Sequence, residues 1–225
     1  MGMYKISPSD LTFSWDACKY CFYLKVKHNI VYRGPFPGIF GRMANLTSEF
    51  YLGKPASEIS PDLPPGIVRY RERFVKSAPI AVPGAVSQCY IYGRYDAVIE
   101  FEDGSYGVVD YKTSDAKEEQ AAFYSRQLSA YAYALENPAP GAQGLAPVSR
   151  LGLFVITPDR YERATTGEMT FLQRTTWMDI PRDDAAFLGL MGEVLALLDS
   201  PHPPESADTC ELCKYRNSMR EFSAV

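Results

Sequence analysis

The 225 residues are 46% hydrophobic and 22% charged, a globular composition that can bury one substantial core. No apolar run approaches the roughly 18–20 residues that a membrane-spanning helix needs, and the N-terminus lacks the charged-then-apolar order of a secretory signal. These absences predict a cytoplasmic protein with no membrane partner, and the net charge of −4 leaves room only for a local basic groove for nucleic acid.

The N-terminal half is predicted to hold two helices followed by a strand. Apolar residues recur at helical spacing from Ser9 to Asn29, with Ser9 as a candidate N-cap. A second helix is expected from Ile39 to Gly53. The stretch GIVRYRERFVKS then alternates like a half-exposed strand. Its cations could line a basic groove or simply form the solvated face of the strand; they are Arg69, Arg71, Arg73 and Lys76.

The rest of the chain is predicted to alternate strands and helices. Two strands flank a turn at Glu102–Ser105, where Asp-Gly signals a hairpin. A helix rich in good helix formers follows over Ala116–Glu136, and then comes a strand stopped by Pro158. Another strand and a last helix complete the order α-α-β-β-β-α-β-β-α. This order predicts an α/β domain with a mixed sheet in residues 1–200, and a cysteine-bearing tail in residues 201–225 that packs on the N-terminal helix.

An acidic and a basic residue end the otherwise apolar run YGVVDYKT. Side chains alternate along a strand, so Asp110 and Lys112 share one face, and a hairpin can bring Asp96 onto the same side. Two carboxylates and a backbone carbonyl are hard oxygen ligands that suit Mg²⁺ or Mn²⁺. A lysine beside them can orient or deprotonate a water molecule. The alternative is a surface ion pair, which is common at strand ends and of little energetic value.

Two predicted helices each present a pair of polar side chains four residues apart, and therefore on one helix face. The upstream helix presents Asn45 and Glu49, and the later helix presents Gln127 and Tyr131. Taken alone, such pairs are typical of ordinary helix surface or of a packed tyrosine.

Four of the five cysteines form two Cys-x-x-Cys pairs near opposite ends of the chain. In a cytosolic protein this pattern predicts metal binding rather than disulfides. Four thiolates suit either a [4Fe–4S] cluster or tetrahedral Zn²⁺, and their spacing alone leaves both open. The four are Cys18, Cys21, Cys210 and Cys213, whereas Cys89 lies in a strand pattern and is expected to pack in the core.

Three motifs, in this order, resemble the PD-(D/E)XK nuclease superfamily: Gly93-x-x-Asp96, Asp110-x-Lys112 and Gln127-x-x-x-Tyr131. Together with the terminal cysteines they look most like the branch that holds the RecB and AddB nuclease domains and the Cas4 proteins. The resemblance implies a restriction-endonuclease-like fold and a Mg²⁺- or Mn²⁺-dependent deoxyribonuclease, an exonuclease or endonuclease acting on single strands or ends. It also implies a [4Fe–4S] cluster, a role in CRISPR adaptation, recombination or repair, and partners among DNA and the adaptation or helicase proteins.

Carried over residue by residue, the resemblance implies metal ligands at Asp96, Asp110 and the carbonyl of Tyr111, with Lys112 as the catalytic lysine. Gln127 and Tyr131 match the helical motif that positions the lysine and the DNA strand.

The chain departs from the family pattern in two places. Asn45 stands where a histidine often completes the metal shell, with Glu49 four residues on, and Cys21 replaces the expected last cysteine. The first departure motivates an alternative: a DNA- or protein-binding module that keeps the fold and the cysteine centre but has lost the chemistry. The second keeps Zn²⁺ open beside the [4Fe–4S] cluster. A redox- or iron-sensing role for the cluster is a third hypothesis.

Overall fold

The computed structural model describes residues 2–32, 34, 37–163, 165 and 167–223, and within this part of the chain no helix is long and apolar enough to cross a membrane. The strands are β1 (Met3–Ile6), β2 (Gly66–Arg71), β3 (Phe74–Lys76), β4 (Gln88–Arg94), β5 (Ala97–Phe101), β6 (Tyr106–Thr113), β7 (Val148–Arg163) and β8 (Met169–Asp179). The helices are α1 (Trp15–Ala17), α2 (Lys19–His28), α3 (Gly38–Tyr51), α4 (Glu119–Glu136), α5 (Asp184–Asp199) and α6 (Glu211–Ser223). A π-helical turn (Asp10–Ser14) precedes α1, and a 3₁₀ turn (Ala56–Glu58) follows α3.

The strands form two sheets, and the short connection from β4 to β5 leads from one sheet to the other. The larger sheet has the order β2-β5-β6-β7-β8, and the smaller has the order β1-β4-β3. Strands β6 and β7 are parallel, with α4 as the crossover between them, and β1 is parallel to β4. The other neighbours are antiparallel. The predicted mixed α/β domain is therefore confirmed.

The larger sheet separates two apolar clusters, and the alternation of β6 shows which helix covers each face. Val108 belongs to the main core with Leu128 of α4 and Leu195 of α5. Val109 belongs to a smaller cluster on the opposite face, where Tyr51 of α3 packs. Because side chains alternate along a strand, the even-numbered positions of β6 face α4 and the odd-numbered ones face α3.

Two predicted elements are interrupted where the backbone leaves regular geometry. The first helix breaks at Cys18, which is extended with φ −167° and ψ 110°, and Ser9 forms no side-chain cap hydrogen bond. The predicted strand GIVRYRERFVKS is two strands, β2 and β3, because Glu72 between them adopts a positive φ of 47°. Cys18 consequently stands at the start of α2 instead of inside a helix.

The prediction that Pro158 stops a strand is wrong. Pro158 pairs with Gln173, and the register of the β7–β8 ladder shifts between Pro158 and Arg160. A proline removes one donor from a ladder, and an irregularity of this kind is where a sheet tolerates that loss. The β7–β8 hairpin therefore runs on to Arg163. Strand β1 and helix α6 are further elements that the sequence analysis missed.

Candidate active site and cysteine metal centre

The β5–β6 hairpin brings the two aspartates of the motif together. Its turn is the predicted one at Glu102–Ser105, where Gly104 has a φ of 83°, a conformation that glycine adopts without strain. Ala97 pairs with Val109, so the next positions along the ladder are Asp96 and Asp110. The backbone N–H of Tyr111 donates to Asp96 Oδ2 at 2.8 Å and holds this carboxylate against β6.

Asp110 is buried and is held by two side chains, Gln127 on α4 and Lys112 on β6. Gln127 Nε2 donates to Asp110 Oδ1 at 2.8 Å. Asp110 Oδ2 has no hydrogen bond and instead forms an ion pair with Lys112 Nζ at 2.5 Å. The ammonium group also lies 4.6 Å from the ring centroid of Tyr124, a cation–π contact. The sequence analysis missed Tyr124. Its position three residues before Gln127 puts it on the same face of α4, and that spacing was the available signal.

Helix α4 also fixes the strand that leads to Asp96. The hydroxyl of Tyr131 donates to the carbonyl of Arg94 at 2.7 Å. Gly93 beside it is required by packing, because a Cβ there would lie 2.6 Å from Cδ of Pro8. Gln127 and Tyr131 therefore bind α4 to both strands that carry the aspartates, which gives the helical pair a positioning role.

The electrostatics of this site favour a bound cation. Burial, together with the neighbouring Asp110 carboxylate, raises the pKa of Asp96 to about 7 against the opposing effect of Lys112. Burial by itself would lower the pKa of Lys112, but Asp110 and Asp96 hold it above its ordinary value. Two neighbouring carboxylates, one of which raises the pKa of the other, fit the hard ligand set of Mg²⁺ or Mn²⁺.

The pair on α3 lies apart from this arrangement. Asn45 and Glu49 are exposed, and α3 packs through Tyr51 against Tyr111 on the sheet face opposite α4. Within the described residues, neither side chain forms a hydrogen bond or ion pair with Asp96 or Asp110, so their role as ligands stays a prediction. The sequence analysis missed Ser48, which is buried on α3 with an Oγ that has no hydrogen-bond partner.

Gln127→Ala is expected to weaken Mn²⁺ binding without unfolding the domain. The substitution frees Asp110 Oδ1 from the group that orients it, and such outer-shell changes typically cost about 10- to 100-fold in metal affinity. Calorimetric titration with Mn²⁺ measures the effect. Gln120→Ala is the matched control, because the Gln120 amide on the same helix donates to Ser114 Oγ instead of a site carboxylate. An unchanged affinity in Gln127→Ala would contradict the positioning role.

The four terminal cysteines meet where α2 and α6 begin. Cys18 precedes α2 and Cys21 lies in its first turn, while Cys210 precedes α6 and Cys213 lies in its first turn. The four sulfur atoms all lie within 4.8 Å of one another. The Sγ–Sγ distances are 3.9 Å for Cys18–Cys213, 3.8 Å for Cys21–Cys210 and 3.4 Å for Cys21–Cys213. The predicted gathering of both pairs is confirmed, and all four are free thiols.

The spacing of these sulfur atoms fits one tetrahedral ion. A Zn–S bond of about 2.3 Å places tetrahedral thiolates about 3.8 Å apart. In a [4Fe–4S] cluster each thiolate binds a different iron atom of the cube, so the sulfur atoms must stand further apart than they do here. Burial opposes ionisation of Cys18, but backbone hydrogen bonds from Ala207 and Cys21 lower its pKa to about 7. Burial raises the pKa of Cys21 and of Cys213, so metal binding at this centre would have to release their protons.

Comparison with known proteins agrees with the geometry of the carboxylate site. Among solved structures, the crystal structure of SSO0001 is similar, with a TM-score of 0.50 and 21% identity over 88% of this chain and 78% of that chain. This likeness supports the fold alone. A search of curated proteins finds no significant match. A sequence profile of the PD-(D/E)XK nuclease superfamily matches residues 54–218, more than half of the chain and the whole of the carboxylate site. The chain therefore belongs to the PD-(D/E)XK nuclease superfamily.

Proposed function

We propose that this protein is a Mg²⁺- or Mn²⁺-dependent deoxyribonuclease that hydrolyses phosphodiester bonds in single strands or at DNA ends. The observation that carries the proposal is Asp110, a buried carboxylate next to Asp96, with one oxygen fixed by Gln127 and the other paired with the Lys112 ammonium group. The cysteine pairs at both ends support a place in the branch of Cas4, RecB and AddB, and hence a role in CRISPR adaptation, recombination or repair.

The cation would be held by Asp96, Asp110 and the carbonyl of Tyr111. It would supply a water molecule of lowered pKa and polarise the phosphoryl group. Gln127 keeps Asp110 Oδ1 in place, and Tyr131 fixes the end of β4 through the Arg94 carbonyl. These contacts let the two carboxylates meet a ligand without first reorganising.

Lys112 acts as a charged donor in this proposal. The neighbouring carboxylates keep its pKa above the ordinary value, so the side chain carries a proton at neutral pH. The Lys112 side chain is 20% exposed, and its ammonium group lies against Asp110, where it would meet a phosphoryl oxygen bound at the cation. Placed there, the ammonium group stabilises the negative charge that develops on phosphorus-bound oxygens and can give its proton to the leaving oxygen.

We propose that the cysteine centre holds one Zn²⁺ ion with a structural role. The sulfur spacing supports a single tetrahedral ion over a [4Fe–4S] cube. All four positions are filled by protein thiolates, which is typical of structural zinc sites rather than catalytic ones. Since Zn²⁺ has no redox chemistry, this assignment argues against a redox- or iron-sensing function of the centre.

The first test is cleavage of an end-labelled single strand in the presence of Mn²⁺ or Mg²⁺. We expect cleavage by the wild-type protein, none after addition of a chelator, and none by Asp110→Asn. Asp115→Asn is the matched control, because it makes the same chemical change at an exposed position just beyond β6. Cleavage that persists in Asp110→Asn at the wild-type rate would overturn the assignment of the site.

A binding module is the second candidate function, and the exposed α3 pair favours it. Asn45 and Glu49 are exposed, and in the described part of the chain neither forms a hydrogen bond or ion pair with the aspartates. A module of this kind would fold, retain its cysteine-bound metal and bind DNA without cleaving it. The same cleavage assay separates the two candidates.

A further inference from the structure

One face of the three-stranded sheet is open to solvent and carries aromatic and basic side chains. On β4, Cys89 and Ile91 point into the core, so the alternate positions point outward. The register places Lys5 beside Tyr90, Lys76 beside Tyr92 and Phe74 beside Arg94. We call this set the aromatic–basic face; its members are Lys5, Phe74, Lys76, Tyr90, Tyr92 and Arg94.

Two rings of the aromatic–basic face are stacked and remain open on the outside. Phe74 and Tyr92 have ring centroids 5.5 Å apart with planes only 20° from parallel. Phe74 is 59% exposed and Tyr92 is 37% exposed. An unstacked nucleobase fits such a site, because every base offers a π-face to an aromatic ring.

Positive charge surrounds these rings. Lys5 Nζ lies 5.7 Å from the Tyr92 ring centroid, and Lys76 Nζ lies 5.3 Å from that of Tyr90. The side chain of Arg94 is 53% exposed and forms an ion pair with Glu72 at 3.7 Å. Strands β1, β3 and β4 contain no Asp or Glu. In a chain of net charge −4, this is a local basic surface that complements a phosphate backbone.

The aromatic–basic face leads directly to the candidate active site. Strand β4 ends at Arg94, whose carbonyl accepts the hydrogen bond from Tyr131, and Asp96 follows two residues later. A DNA strand bound along β4 would therefore lie next to Asp96, because the end of β4 also positions this aspartate.

We infer that the aromatic–basic face binds single-stranded DNA, with bases stacked on Phe74 and Tyr92 and phosphates paired with Lys5, Lys76 and Arg94. This inference rests on the proposed nuclease function and names its substrate. A duplex cannot bind in this way, because its bases are already stacked on one another and cannot stack on Phe74 or Tyr92. Contacts of this kind tolerate any sequence.

The direct test is binding of a fluorescein-labelled oligothymidine, followed by anisotropy in buffer without added Mg²⁺ or Mn²⁺, so that no cleavage occurs and the cysteine centre keeps its metal. Phe74→Ala/Tyr92→Ala is expected to weaken binding at least about tenfold, since each stacked base contributes about 1–3 kcal/mol. The substitutions alter exposed side chains, and an unchanged thermal midpoint would show that the fold is intact. A duplex of equal length is expected to bind more weakly than the single strand.

A second stacked pair provides a matched control. Tyr161 and Phe171 have ring centroids 4.9 Å apart at 25° on the β7–β8 hairpin, where the nearby Arg160 pairs with Asp159 and Glu162. This hairpin thus offers a stacked ring pair whose neighbouring Arg160 is already paired with carboxylates. Tyr161→Ala/Phe171→Ala is expected to leave oligothymidine binding unchanged.

Salt dependence tests the lysines separately from the rings. For single strands, the slope of log affinity against log salt changes by about 0.7 for each phosphate contact. Lys5→Ala/Lys76→Ala is therefore expected to reduce the slope by roughly 1.4 while Phe74 and Tyr92 remain in place.

The outcomes separate the face from the nuclease function. If the wild type cleaves single strands but Phe74→Ala/Tyr92→Ala binds and cleaves as well as it does, the inference is wrong and the function stands. If nothing is cleaved but binding still depends on Phe74 and Tyr92, the face stands and the function is wrong. Equal losses in the control pair, or tighter binding to a duplex or to oligouridine, would overturn the inference.

Discussion

Lys112→Ala is expected to lower the rate of single-strand cleavage by about 10²–10⁴-fold, the usual contribution of a positioned proton donor. The side chain lies against Asp110 Oδ2 and is only 20% exposed, so no neighbouring cation can take its place. Single-turnover measurements at saturating Mn²⁺ isolate this effect from metal binding. Lys117→Ala is the matched control, because Lys117 is an exposed lysine on the segment that leaves β6.

The same variant makes a second, independent prediction about stability. Without Lys112, Asp110 remains as a buried carboxylate with no opposite charge, and breaking a buried pair in this way costs about 3 kcal/mol. Lys112→Ala should therefore unfold at a lower temperature than the wild type in EDTA, and Mn²⁺ should restore more stability to it than to the wild type. Wild-type cleavage rates in Lys112→Ala would contradict the role assigned to this lysine.

If the cysteine centre holds zinc as proposed, Cys213→Ser is expected to abolish zinc binding and to weaken the contact between α2 and α6, where Arg216 lies over Tyr20. Apparent binding free energies of structural zinc sites are about 10–16 kcal/mol, comparable with the whole stability of a typical domain at about 5–15 kcal/mol. Metal analysis of the wild type should give one zinc per chain, and Cys213→Ser should give none and a lower thermal midpoint.

Cys89 supplies the control for this experiment. It is fully buried in the core, and burial raises the pKa of its thiol to about 12. Cys89→Ala removes a cysteine without touching the metal centre, so its zinc content should equal that of the wild type. Iron and inorganic sulfide at four each per chain, with visible absorbance in protein purified without oxygen, would contradict the zinc assignment.

The catalytic segment could be predicted from sequence because its signals are local. The Asp-Gly turn fixes the β5–β6 hairpin, the hairpin register fixes the neighbourhood of Asp96 and Asp110, and helical periodicity fixes Gln127 and Tyr131 on one face. Each of these relations spans few residues. To place these residues together, one further fact is required: α4 crosses over from β6 to the parallel strand β7 and so packs on the face that carries Asp110.

The aromatic–basic face could not be predicted, because it depends on distant pairing. Met3 pairs with Gln88, and the sequence around either residue carries no local signal that predicts this pairing. The positive φ of Glu72 also divides the predicted strand, so that Arg69 and Arg71 lie on β2 and Lys76 lies on β3. Arg69 pairs with Glu100 and Arg73 packs on Tyr70, as expected for a solvated strand face, whereas Lys76 lies on the basic surface. Arg69 and Arg73 therefore fit the solvated strand face, and a groove role for Lys76 stays a prediction.

The position of the cysteines in the chain sets an order of events during synthesis. Cys21 and Cys213 are 192 residues apart. At about 5–20 residues per second, Cys18 and Cys21 leave the ribosome roughly 10–40 s before their partners are made. Throughout that interval the two thiols have no complete ligand set. The centre can therefore be completed only after residues 210–213 have been synthesised, and an ion that needs all four thiols would bind after that point.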